Sequence, residues 1–175
     1  MKMNTKRLTA LLLGLLCLIS MLALTACGGN EGKGEETADP NKTPATLESI
    51  YDAVSAVVPN SDKLVDAADT YLNGFFGANP EDFASYKIVN QSMSTSIDEI
   101  GIFEAKSTED VKNLEKMVDD FFDFYESLWN DDYLEEEYPK LKNAERVTAG
   151  NFVMYVILGD DARADAITAF ENATK

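Results

Sequence analysis

Histidine is absent from this 175-residue chain, and cysteine occurs only twice, at Cys17 and Cys27. The thiol and imidazole sites of zinc, haem, copper and iron–sulfur proteins are therefore unavailable beyond position 27. So are Ser-His-Asp and Cys-His catalysis. Basic residues are scarce too, with 15 Lys plus Arg against 31 Asp plus Glu. So acidic a surface repels nucleic acid and anionic headgroups, both of which call for basic patches. No nucleic-acid partner and no cofactor are expected. The signatures G-x-S-x-G, S-x-x-K and G-x-x-x-x-G-K are also missing. What remains is carboxylate chemistry, a hard-cation site, or no chemistry.

The two cysteines sit where an export signal would put them. Lys2, Lys6 and Arg7 supply a basic start, and Leu11 to Leu24 is a mostly Leu, Met and Ala run. A membrane-spanning helix wants about 20 apolar residues, whereas Gly29, Asn30 and Glu31 end the apolar character at once. Leu24-Thr25-Ala26-Cys27 resembles the bacterial lipoprotein lipobox. That resemblance implies acylation of the Cys27 sulfur with palmitate-class chains, and cleavage before Cys27. Residues 1–26 are then a lipoprotein signal peptide. Residues 27–45, rich in Gly, Glu, Lys, Thr and Pro, form a flexible tether. Residues 46–175 are left as a single domain, with enough apolar residues for one core. Two or three acyl chains hold where one binds only marginally, so the expected location is the extracytoplasmic face of the cell membrane. Losing the signal removes three basic residues and no acidic ones, leaving 12 Lys plus Arg against 31 Asp plus Glu, a net −19. The mature domain then has neither a free thiol nor a disulfide.

Within the domain, Leu47, Ile50, Tyr51, Val54 and Val57 recur at helical spacing until Pro59. Leu64, Ala68, Tyr71, Leu72 and Phe75 predict a second short helix ended by Gly74 or Gly77. Asn79-Pro80-Glu81-Asp82 reads as one capped turn. Strands are predicted over Tyr86 to Met93 and Asp98 to Lys106, the second with Ile100 and Ile102 on one face and Gly101, Phe103 and Ala105 on the other. Ser107, positioned to accept the Asp110 amide, opens a long helix with Val111, Leu114, Val118, Phe121, Phe122, Tyr125, Leu128 and Trp129 along one side. A hairpin follows, from Arg146 to Thr148, through Gly150-Asn151, to Phe152 to Leu158, and Asp160 and Asp161 then start a last helix. The expected fold is α+β, a two-layer sandwich. Its four-stranded antiparallel sheet (ββαββα) carries two longer helices on one face, preceded by small N-terminal helices.

The segments Gly77 to Tyr86 (GANPEDFASY), Asp98 to Lys106 (DEIGIFEAK) and Gly150 to Val156 (GNFVMYV) resemble a bacterial lipoprotein family, the domain of unknown function 4358. The resemblance runs from about Leu47 to Phe170. It implies lipoprotein placement and a small α/β domain, and brings no activity, cofactor or catalytic residue with it.

Two features are candidates for function. Asp119, Asp120, Asp123, Glu126, Asp131, Asp132, Glu135, Glu136 and Glu137 form an acidic stretch, in which helical spacing brings Asp119, Asp123 and Glu126 near one another. Calcium would suit such oxygen ligands, although Asn130 to Glu137 lacks the glycine and alternation of an EF-hand loop. A glycosidase-like acid pair drawn from the helix at 107–137 would make the protein a carboxylate-dependent hydrolase. The plainer reading is a solvated acidic face. The second feature is Phe152 to Leu158, apolar on both sides, so that Phe152, Met154, Val156 and Leu158 can face the long helices while Phe103, Val153, Tyr155 and Ile157 face away, or the reverse. Either the helix from Thr46 to Val58 covers that face, or it docks a protein or small-molecule partner. A non-catalytic binding module is the expectation; a hydrolase or calcium-responsive domain on the acidic helix is the alternative.

Overall fold

A computed structural model describes residues 44–91, 95–130, 132 and 134–175. The export signal, Cys27 and all but the last two residues of the tether lie outside the described residues, as do Met93 and Asp131. From Pro44 onward the described residues build one compact unit. Among them no helix is long and apolar enough to cross a membrane.

Helix α1 (Leu47–Val57) starts where two residues exchange hydrogen bonds: Ser49 N donates to Thr46 Oγ1 at 3.2 Å, and Thr46 N to Ser49 Oγ at 3.0 Å. The exchange satisfies amides that no helical carbonyl reaches. Strand β1 (Leu64–Asp66) follows, where periodicity predicts the start of a helix. Its residues pair with Gln91, Asn90 and Val89 of β2 (Ser85–Gln91). Three residues carry too little local preference to resist an open strand edge whose amides need partners. Helix α2 (Ala68–Tyr71) begins only after Asp66 Oδ1 accepts Ala68 N at 3.0 Å. It widens at once into a π turn over Leu72–Phe76, which Gly77 ends at φ +60°. The capped turn at Pro80–Asp82 is present, with Asn79 N donating to Asp82 Oδ2 at 2.8 Å.

Strand β3 (Glu99–Glu104) leads to the long helix α3 (Val111–Ser127). Its opening differs from expectation: the Ser107 hydroxyl donates to the Asp110 carboxylate at 2.7 Å, while Asp110 N bonds the Ser107 carbonyl. The short α4 (Tyr138–Lys142), the hairpin of β4 (Glu145–Ala149) and β5 (Phe152–Ile157), and α5 (Asp160–Ala173) complete the chain.

The sheet has five strands, not four, in the order β1-β2-β3-β5-β4, and every pair is antiparallel. Side chains alternate between two cores. On the first face Ile88, Phe103, Val153, Tyr155 and Ile157 pack under α2, the π turn and α3. On the second, Val89, Ile100, Ile102, Met154 and Val156 pack under α1 and α5. The α+β class therefore holds, but the two long helices lie on opposite faces and the sheet is the middle of three layers. The cause is β5, buried along its whole length, because a strand apolar on both sides needs a helical layer on each. Strand β4, opposite β1, is one of the sheet's two edges. Arg146 reaches from it to Asp119 on α3 at 2.8 Å, and Arg163 of α5 reaches Glu145 at 2.7 Å, so charges from both layers strap it.

Candidate functional site

The four residues expected to form a docking face are interior. Phe103, Val153, Tyr155 and Ile157 each have no exposed surface. The expected cover, α1, lies on the other side of the sheet, and these residues sit instead beneath α3 and the segment from Ala68 to Phe83. Tyr155 packs on Phe121 at 5.3 Å and on Phe103 at 6.2 Å between ring centroids, and Phe76 wedges against Phe103 at 5.4 Å. They form an aromatic core, not a surface.

The acidic helix does not gather its carboxylates. Asp119 accepts two hydrogen bonds from Arg146, at 2.8 and 3.1 Å. Glu126 is held by Lys142 at 2.7 Å and by the Tyr138 hydroxyl at 2.9 Å. The Lys142 bond holds its carboxyl below the usual carboxylate range. Asp123 is exposed. Among the described residues no three acids stand together as a metal-binding group.

A different acid occupies the core. Glu99, first residue of β3, is the one buried charged or polar residue among those described, at 1% exposure. Strand alternation puts it on the face of Gly101 and Phe103. Across the sheet it is opposite Asn90 on β2 and Ile157 on β5. The Tyr155 hydroxyl donates to Glu99 Oε1 at 2.5 Å. Tyr71 of α2 also bonds the carboxyl, and Asn90 Nδ2 donates to the Tyr71 hydroxyl at 3.0 Å. Burial pushes the Glu99 carboxyl up to about 8, against the pull of the two phenols towards the anion. Burial and the nearby Glu99 charge push Tyr155 and Tyr71 above the ordinary phenol value. At neutral pH the centre is a carboxylic acid among phenols.

Gly101 makes this arrangement possible. It faces Tyr155 across the β3–β5 ladder, and a Cβ there would lie 1.9 Å from Tyr155 Cε1. The ring lies across the space that a side chain would fill, which carries its hydroxyl to Glu99. An acid in phase with Gly101 and Phe103, directly before the apolar stretch Ile100 to Phe103, is the sequence signal for this centre.

The open feature is a groove beside that core. Between α3 and the π turn lies a cavity of about 430 Å³, lined by Phe75, Phe76, Met117, Phe121 and Phe124, with Lys116 at its rim. A second cavity of about 370 Å³ shares Phe76, Asn113 and Met117, and continues the groove towards Asp82 and Asp110. Phe124 is 41% exposed, and Leu128, one turn on, 57%. Neither cavity is lined by Glu99, Tyr71 or Tyr155. The two features still touch. Tyr71 stacks on Phe75 at 4.7 Å and 22°, and Phe75 stands against Phe124 at 6.1 Å.

No curated protein and no solved structure matches the chain. A family model does, the domain of unknown function DUF4358, over residues 56–158. The match runs from the end of α1 through β5, taking in the whole sheet, the Glu99 centre and the groove, and leaving α5 outside it. On that match, which takes in more than half of its residues, the chain belongs to the DUF4358 family.

Proposed function

We propose that the chain is a lipoprotein held at the extracytoplasmic face of the cell membrane through Cys27, and that its domain binds a protein or small-molecule partner without catalysing a reaction. The contacting surface is the groove between α3 and the Leu72–Phe76 turn. One observation carries this reading: the groove leaves Phe124 substantially exposed beside Phe75 and Phe76, in a domain that otherwise buries its phenylalanines or leaves them half-buried. A concave aromatic surface with a few polar groups at its rim is the usual form of a binding site. The basic start, the apolar run and Leu24-Thr25-Ala26-Cys27 support the anchor. The hydrolase or calcium alternative needs converging acids, whereas Asp119 and Glu126 are each taken up by a cation.

Cells expressing Cys27→Ser are expected to lose labelling by a palmitate analogue and to release the protein from the membrane fraction. Phe124→Glu is expected to keep both. Labelling retained in Cys27→Ser would contradict the anchor.

A further inference from the structure

We propose that Glu99 regulates the groove: while its carboxyl carries a proton the Tyr71–Phe75 wall is seated against the sheet, and loss of that proton releases the Ala68–Phe76 segment. This rests on the groove being the binding surface.

The inference follows from what surrounds the carboxyl on each side. From β2 comes Asn90, which is neutral; from β5 the Tyr155 phenol; from α2 the Tyr71 phenol. From α3, Tyr125 adds a further phenol that acts electrostatically on Tyr71 and Tyr155. The loop before β3 and α4 bring Asp98, Lys140 and Glu137, and there Lys140 is held by Asp98 at 2.7 Å and by Glu137 at 2.8 Å. No basic group is among the causes that set the carboxyl's affinity for its proton. An anion at this position would thus be buried with hydrogen bonds and no counter-charge, a state that proteins relieve by admitting water or moving an element.

The elements around Glu99 are not equally able to move. Strands β2, β3 and β5 are each paired on both sides. Helix α2 is four residues long and passes directly into the π turn, an irregularity that recurs at functional sites, and no strand ladder holds it. Its entry is tied to the sheet by Ala67 N to the Ile88 carbonyl at 2.9 Å, and the turn closes on itself through Ala78 N to the Leu72 carbonyl at 2.9 Å. Within the segment Ala68 N donates to Asp66 Oδ1 at the end of β1, and Tyr71 bonds Glu99 and Asn90 while its ring stacks on Phe75 in the groove wall. The two phenol bonds favour the anion but do not offset its burial, so ionisation is relieved by water reaching the carboxyl, and the short segment that carries Tyr71 is the side from which it can enter. The bistable element is Ala68–Phe76, and the proton is the ligand that biases it.

The test follows the aromatic NMR signals of Phe75 and Phe124 in the full chain, in neutral detergent, through a titration bracketing about pH 8. Both rings are expected to report one transition with a shared midpoint. In Glu99→Gln, which keeps the size and loses the charge, the transition should be lost. In Tyr155→Phe, which removes a donor to the anion, the midpoint should move to higher pH, and this holds as a check even if Glu99→Gln folds poorly. A transition that persists unchanged in Glu99→Gln, one that Tyr155→Phe does not move, or none at all in the natural chain would each overturn the proposal. The readout needs no ligand. A groove that binds nothing can still titrate, and a groove that binds but does not titrate sinks the regulation alone.

Discussion

Gly101 and Tyr155 show how closely two residues of this core are matched. Because a methyl group at position 101 would overlap the Tyr155 ring, and that ring is enclosed by Phe103, Phe121 and Phe122, it has nowhere to retreat. Gly101→Ala is expected to cost about 3 kcal/mol, the upper end for overpacking, read as a lower urea midpoint. In a Tyr155→Ala background the same change should cost much less, since the two residues share one volume. Glu99 adds a pH term of definite sign. Its folded carboxyl holds a proton up to about 8 against an ordinary value of 4.5, so between those values the folded state binds more protons than the unfolded one. Stability from this group is fully present below the ordinary carboxylate value and is lost as pH rises towards 8. The loss is on the order of a few kcal/mol. Denaturation midpoints of the natural chain should fall over that range, and those of Glu99→Gln should fall less.

The elements differ in how openly they are written in the sequence. Helix α3 and strand β5 were legible, since a sustained stripe and an unbroken apolar run each exceed what chance pairing of residues supplies. So was the hairpin, whose Gly150 takes φ +58°. Strand β1 was not, because Leu64 to Asp66 fit a helical stripe as well as a strand and only the edge of β2 decides between them. Nor was the layering. Periodicity says that a helix has an apolar side, not which face of the sheet receives it, and β5 offers both faces equally. Of the proposed sites, the anchor rests on sequence alone, on Leu24-Thr25-Ala26-Cys27 and the run before it, outside the described residues. The groove was not legible, because Phe75 and Phe124 look like core positions until their surroundings are known. The layering has a consequence for α1. Ile50 has no exposed surface and packs towards Ile100, Ile102, Met154 and Val156, so Ile50→Ala should destabilise by about 2–5 kcal/mol. Deleting residues 46–58 should expose that second core and leave Tyr155 covered. Thermal or urea unfolding, with hydrogen exchange at β5, checks both statements.

At the scale of the whole molecule, the distribution of charge and apolar surface frames the proposal. A formal charge of −16 over the whole chain opposes contact with anionic headgroups, and in the proposed lipoprotein residues 27–45 would set how far the domain stands from its anchor. Four of the domain's cations are committed to its own edges, Arg146 and Arg163 to β4 and Lys140 and Lys142 to the region around α4. The exposed aromatic groove is then the part of the surface suited to contact. The central claim is that this groove meets a partner at the membrane. It is tested most directly in living cells by placing a photo-crosslinking phenylalanine analogue at position 124, with the same analogue at Glu171 on the exposed side of α5 as control. The expected result is a discrete adduct from position 124 that is missing from position 171 and lost when Cys27 is replaced by serine. Equal crosslinking at the two positions, or an adduct at 124 that does not depend on Cys27, would contradict it.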